Sequence, residues 1–229
     1  MAMTHALRKD DVRRNPLAVW IAEAVQFTRD RKALMLGILV AILVGVTGFS
    51  VYTWNQVRQE RDAQRVLAKA QTALLGATPG GPKNPDEAKK LYVETIDKYP
   101  RTIAAEESLI RLGNLQFDGG KYDEAIAAFQ RYLTTFSRGR FVVIAGIGKA
   151  YAEEAKGDLP AAEKTLSNVL EIAKDDPLIG EAYTSLAQTY EAMKKRDDAL
   201  RIYGQISERF TQTHWAQNAL QRMSILKAQ

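Results

Sequence analysis

The sequence predicts an all-α protein, a solenoid of stacked helical hairpins preceded by a single transmembrane helix. Three observations carry this. Residues 33–54 (ALMLGILVAILVGVTGFSVYTW) form an uncharged, mostly apolar run of 22 residues. At roughly 1.5 Å rise per residue such a helix reaches about 33 Å, enough to cross a hydrocarbon core of roughly 30 Å. From Asn55 onward apolar residues recur at helical spacing, without strand-like alternation. Gly and Pro breaks at residues 76–85, 119–120, 157–160 and 175–177 then cut the chain into pieces about one helix long, and the pieces repeat.

Ahead of the apolar run, residues 1–32 form a head with seven Lys/Arg against four Asp/Glu. Within it, Pro16 opens a stretch with Leu17, Trp20, Ile21, Ala24 and Phe27 at roughly helical spacing, readable as an interfacial amphipathic helix or as a disordered head. The head is too long and the apolar core too extended for a cleaved secretory signal, and the exit GFSVYTW lacks an A-x-A pattern. Residues 33–54 therefore read as a retained anchor, with Tyr52 and Trp54 placed like an interfacial aromatic belt. Basic residues flank both ends: Arg29, Arg31 and Lys32 before, Arg58, Arg61, Arg65 and Lys69 after. Long domains translocate largely regardless of charge, so the short head sets the orientation and stays cytoplasmic. Along the anchor Ala33, Gly37, Ala41 and Gly45 recur every fourth residue. This strip either admits a second helix at close range or is the chance product of an Ala/Gly-rich span.

After the anchor, EESLIRLGNLQFDGGKYDEAIAAFQRYLTTFS carries Leu112-Gly113 in a first helix, Gly120 and Tyr122 at a turn, and Ala125, Phe129 and Leu133 in a second helix. That order fits the tetratricopeptide (TPR) template, a helix–turn–helix of about 34 residues. Thirty-five residues on, Ile147-Gly148 and Tyr151 match the first helix, and Ala162, Leu166 and Leu170 match the second after a two-residue insertion. Thirty-nine further come Tyr183, Leu186-Ala187 and Tyr190, then Ala199, Tyr203 and Ile206. Upstream, Ala88, Tyr92, Ile96 and Pro100 mark a second helix whose partner is the segment starting near Gln56, across an atypically long loop at residues 76–85. The expected organisation is a head (1–32), a transmembrane helix (33–54) and a TPR-like domain (55–229). The latter holds repeats at about 56–100, 106–137, 141–177 and 180–211, and a closing helix at 214–227. Gly113, Gly148 and Ala187 are expected where the two helices of a repeat cross, and Ala125, Ala162 and Ala199 where repeats stack.

The chemistry is sparse. Lys and Arg number 32 against 27 Asp and Glu, a net charge of +5, and residues 55–229 hold only +2 of it (25 basic against 23 acidic). So balanced a domain has no large electrostatic footprint for nucleic acid, despite a pI near 9.3. The absence of cysteine excludes disulfides, thiol nucleophiles and an acylated lipobox. His5 and His214 have no companion at metal-ligand spacing. No P-loop, G-x-S-x-G, H-E-x-x-H or dinucleotide turn occurs, so neither an enzyme, a cofactor nor a small-molecule substrate is expected.

What a TPR stack offers is a concave wall built from first helices. The candidates for it are Glu107, Ile110, Asn114 and Phe117, then Val142, Ala145, Lys149 and Ala152, then Glu181, Thr184, Gln188 and Glu191. Phe117 would anchor a peptide or protein segment there. Asn114 and Lys149 alone resemble the polar clamp by which some TPR domains hold a C-terminal carboxylate.

The head, the basic entry TRDRKALMLGILVAILVGVTGFSVYTWNQ, the polar helix and the repeats together resemble bacterial inner-membrane TPR proteins of the ancillary Sec-translocon-subunit type. IDKYPRTIAAEESLIRLGNLQFDGGKYDEAIAAFQRYL and ISERFTQTHWAQNALQRM are also similar to the TPR lipoprotein of outer-membrane assembly and the TPR cell-division coordinator. Those are exported with cleaved signals. The resemblance implies a single-pass inner-membrane adaptor with a periplasmic TPR stack, handing newly translocated proteins to periplasmic chaperones. Its expected partners are proteins and the lipid bilayer. A structural scaffold subunit of another bacterial membrane complex is the alternative.

Overall fold

The computed structural model describes residues 19–21, 32–76 and 81–228, and these are helical or in turns and connectors, with no strand among them. The chain divides into two compact units, Met1–Val57 and Arg58–Gln229. The first long helix, α1 (Lys32–Leu75), contributes residues to both.

In the first unit, the apolar part of α1 has its large side chains exposed, Leu36, Val44, Phe49 and Trp54 among them. Among the described residues this is the one helix long and apolar enough to cross a membrane by length and composition. A Cβ added at Gly37 or Gly45 would meet nothing within 4 Å, so among the described residues neither glycine of the small-residue strip is packed against another element. Of the interfacial helix expected in the head, only residues 19–21 are described. They are helical, with Trp20 and Ile21 exposed, whereas Leu17, Ala24 and Phe27 lie outside the described residues.

The second unit is a stack of hairpins. Its elements after α1 are α2 (Pro85–Lys98), α3 (Ile103–Asp118), α4 (Tyr122–Thr135), α5 (Val142–Ala155), α6 (Leu159–Ile172), α7 (Ile179–Ala192), α8 (Arg196–Arg209) and α9 (His214–Ala228). Local chemistry starts several of them. Asn84 and Asp158 accept hydrogen bonds from the N–H groups of Glu87 (3.0 Å) and Ala161 (3.1 Å), and α2 and α6 each carry Pro in the first turn. For α3 the cap is doubled. Thr102 accepts from Ala105 N–H (3.1 Å), and the Glu60 carboxylate of α1 accepts from Ile103 (2.7 Å) and Ala104 (3.2 Å). A negative charge there also suits the helix dipole.

Three turns between first and second helices are built alike. Lys121, Asp158 and Lys195 donate their N–H to the carbonyls of Gln116, Glu153 and Tyr190 at 2.8–2.9 Å, the pattern of a Schellman motif. The residues before them, Gly120, Gly157 and Lys194, have φ of 70°, 84° and 60°. These positions are 37 residues apart in both steps, as are the starts of α4, α6 and α8 and the buried Ala125, Ala162 and Ala199. The repeat is thus 37 residues long throughout.

That period corrects one expected alignment. The residue equivalent to Gly113 and Ala187 is Ala150, not Gly148, and no insertion separates α5 from α6. Residues 113, 150 and 187 are all buried. Gly148 instead faces the preceding repeat. The Phe129 ring of α4 packs against Gly113 of its own repeat and Gly148 of the next, so closely that a Cβ at either would come within 2.6 Å of it. Gly146 is the α5 glycine facing its own second helix, at Val169.

The core runs along the stack in three clusters. Ala63, Leu67 and Ala70 of α1 pack with Ala88, Tyr92 and Ala104, which makes the last part of α1 the first helix of the leading pair. Phe129, Tyr132, Leu109 and Ile96 lead the second cluster, and Leu166, Leu186, Tyr203 and Ile206 the third. Burying each such side chain contributes roughly 1.5–3 kcal/mol. At the far end α9 exposes Gln217, Leu220, Ser224 and Lys227, a mostly polar face of the kind that terminates a solenoid.

Candidate functional site

Each first helix touches the next one, α3 with α5, α5 with α7 and α7 with α9, so these helices form one continuous wall. With a period of 37 the same face of each helix is read directly. Asn114, Tyr151 and Gln188 occupy one position, and all three are exposed. Phe117, Glu154 and Glu191 occupy another and are half-buried, as are Glu107 and Ile144, equivalent to the exposed Glu181.

Several sequence candidates sit elsewhere. Val142, Ala145 and Ala152 are buried in the core, because the two-residue slip assigned the packed face of α5 to the wall. Ile110 is 8% exposed and belongs to the second core cluster. Phe117 packs at a tilt on Tyr122, with ring centroids 5.5 Å apart. Lys149 is equivalent to Leu112 and Leu186. Its ammonium lies 2.9 Å from Glu153 and donates to Thr165 at 2.7 Å, while Thr165 donates to Glu153 at 2.7 Å. That triad is nearly enclosed between α5 and α6, so Lys149 is no free wall cation. Asn114 and Gln188 remain on the wall as expected positions, while Thr184, at the position of the buried Ile110 and Ile147, is half-buried and donates to the Gly180 carbonyl of its own helix. Tyr151, Ile144 and Glu154 were missed, although the 37-residue spacing of Ala125, Ala162 and Ala199 already pointed to them.

Charges on the wall are arranged by position along it. At the α3 end, Arg111 donates twice to Glu107 (2.6 and 2.8 Å), and Gln71 donates to the same carboxylate at 3.2 Å. Burial pushes the phenol of nearby Tyr92 up, and the Arg111 charge pulls it part of the way back. At the α9 end, Glu191 accepts from Tyr203 (2.6 Å) and is held by both Arg222 Nε and Nη2. Burial, then the Glu191 carboxylate, push the Tyr203 phenol well above its ordinary value. Between these ends lie two carboxylates with neutral donors. Glu154 accepts from Thr189 at 2.6 Å, and Glu181 accepts from Trp215 Nε1 at 2.9 Å. Among the described residues neither has a cationic partner within ion-pair distance.

Such a surface has no nucleophile paired to a base, and among the described residues no group of His, Asp and Glu is arranged to hold a metal. It is a ribbed face of amides, rings and carboxylates.

Comparison with known proteins agrees with this reading. Tetratricopeptide repeat profiles match residues 83–140, 110–177 and 181–213. An ancillary SecYEG translocon subunit of Neisseria gonorrhoeae is 26% identical over 189 residues, covering 82% of this chain and 85% of that one. A tetratricopeptide repeat protein from Parabacteroides merdae superposes with a TM-score of 0.56 at 15% identity, over 73% of this chain and 61% of that one. The MamA protein gives a TM-score of 0.53 at 17% identity, over 73% and 80%. The two structures speak to the fold alone. The repeat profiles cover more than half of the chain, so it belongs to the tetratricopeptide repeat proteins, resembles the ancillary translocon subunit, and works by protein interaction without catalysis.

Proposed function

We propose that the protein is a single-pass adaptor of the bacterial inner membrane. Residues 33–54 cross the bilayer, the head stays in the cytoplasm, and the hairpin stack binds proteins in the periplasm. Its partners are the protein-export translocon and the chains emerging from it, which it passes to periplasmic chaperones. The observation that carries this is an exposed, uncharged apolar helix covalently continued into a TPR stack. Similarity to the gonococcal ancillary subunit over most of both chains supports the choice of translocon. The strip Ala33, Gly37, Ala41 and Gly45 would let a helix of that complex approach closely.

Four experiments test this. Alkaline carbonate washing of vesicles should leave the protein in the pellet, and release of the intact chain would refute the anchor. The chain has no cysteine, so single cysteines placed in the head or the stack report orientation through a membrane-impermeant maleimide. Labelling of the stack in intact spheroplasts is expected. Affinity purification in mild detergent should then bring down translocon subunits. One stoichiometric complex of another kind would instead make the protein a structural scaffold of that assembly. A Gly37→Leu, Gly45→Leu double variant that keeps every partner would remove the strip from the argument.

A further inference from the structure

The middle of the wall carries a more specific consequence, resting on the adaptor reading above. We propose that Asn114, Tyr151 and Gln188 hold an extended, unfolded segment of another protein by its main chain, and that Glu154 and Glu181 give that segment a preference for Lys and Arg. The three residues stand at one position of α3, α5 and α7, all exposed, and the side-chain amides of Asn114 and Gln188 make no hydrogen bond within the described residues. An amide offers a donor and an acceptor on one group, the same pair that an extended peptide unit presents. Packed helices lie about 8–10 Å apart, and an extended chain advances about 3.3 Å per residue. One wall residue would therefore meet every third peptide unit.

Charge decides what the segment carries. The wall cations Arg111 and Arg222 are already paired, with Glu107 and Glu191, and Lys149 lies off the wall, paired with Glu153. Among the described residues, an acidic segment or a terminal carboxylate would find no unpaired cation on the middle of the wall. Glu154 and Glu181 are held only by a hydroxyl and an indole N–H, with no cation paired to either among the described residues. Cationic side chains projecting from a main chain on the amide row would reach carboxylates on either flank.

The test uses the full chain in detergent micelles and fluorescent twelve-residue Gly/Ser/Thr peptides (~12 residues, about four wall positions at the spacing above) bearing Lys or Glu at every third position. Anisotropy should show the Lys peptide binding at least about tenfold tighter than the Glu peptide. Glu154→Gln with Glu181→Gln should erase that preference. Methylating alternate peptide nitrogens, or combining Asn114→Ala with Gln188→Ala, should weaken the Lys peptide by about tenfold. Asn114→Ala and Gln188→Ala break no internal bond, and Glu154→Gln and Glu181→Gln keep an amide oxygen to accept from Thr189 and Trp215, so circular dichroism should be unchanged. Equal binding of Lys and Glu peptides, or indifference to N-methylation, overturns this inference. The adaptor reading falls separately, if purification from membranes yields no protein partner.

Discussion

Replacing Glu153 with Ala tests the 37-residue register and the enclosed triad together. Were Gly148 the helix-crossing residue, Lys149 and Glu153 would be an ordinary exposed pair, worth about 0–1 kcal/mol. In the structure the side chains of Lys149 and Glu153 are only 14% and 8% exposed, and Thr165 bridges them. Removing Glu153 leaves an ammonium in the slot that Leu112 and Leu186 fill in the neighbouring repeats. Breaking such a buried pair costs about 3–5 kcal/mol. For a stack of this size that is a fall in melting temperature of roughly 10 °C. The companion variant Lys149→Leu, Glu153→Met, Thr165→Val substitutes apolar groups of similar volume, and should be neutral or stabilising by about 1–4 kcal/mol. Thermal melts followed by circular dichroism in detergent read both. A Glu153→Ala protein melting within a degree or so of the parent (~1 °C, the effect of an exposed pair) would refute the register.

Two further outcomes follow from local geometry. Lys194 holds the left-handed turn position that Gly120 and Gly157 hold in the other repeats, so Lys194→Gly should stabilise by about 1 kcal/mol, read as a higher urea midpoint. Tyr92, Tyr132, Tyr190 and Tyr203 are all pushed above the ordinary phenol value of 10.0, by burial first and, in the last three, next by an adjacent carboxylate. The folded state therefore keeps protons that the unfolded state gives up above pH 10. The stabilisation is complete below that pH and is lost as the pH rises further. Phenolate absorbance should rise in a late step coincident with loss of helicity, and Tyr132→Phe with Tyr203→Phe should shrink that step.

The parts of this fold that were legible in the sequence are those where physics leaves one residue type. Gly120 and Gly157 stand at turns requiring positive φ, and Ala125, Ala162 and Ala199 where second helices are fully enclosed. The wall was harder to read at α5, where Ala145, Gly146, Gly148 and Ala150 are four small residues, any of which suits a close helix crossing. Lys194 in a glycine position concealed the third turn, so the constant 37-residue step did not stand out. A lysine in the core is also invisible to a pattern that equates polar with exposed. Lys149 is enclosed only because Glu153 and Thr165 satisfy it, and that is a property of two helices at once.

Junctions along the wall are held by different means, which has a measurable consequence. Between α5 and α7 the ties include Thr189 to Glu154 and the longer Tyr151–Ser185 contact at 3.4 Å. Between α7 and α9 they include Arg222 to Glu191 and Trp215 to Glu181. Between α3 and α5 the ties include the Phe129 ring, shared by Gly113 and Gly148, and the Tyr132 hydroxyl, which donates to Glu106 of α3 and accepts from the Phe141 N–H (2.8 Å) at the start of α5. The stability of a linear stack is approximately a sum of unit terms and nearest-neighbour terms. Phe129→Ala removes atoms from both kinds of term at once, at about 3–5 kcal/mol. Thr189→Val deletes a hydroxyl shared between the half-buried Glu154 carboxylate and the Ser185 carbonyl, at about 1.5–3 kcal/mol, without touching the packing of the units. Native-state hydrogen exchange should therefore separate the amides of α2–α4 from those of α5–α9 in Phe129→Ala, and leave them together in Thr189→Val. Uniform exchange across the stack in Phe129→Ala would mean that the second and third repeats are held together mainly by something other than this ring.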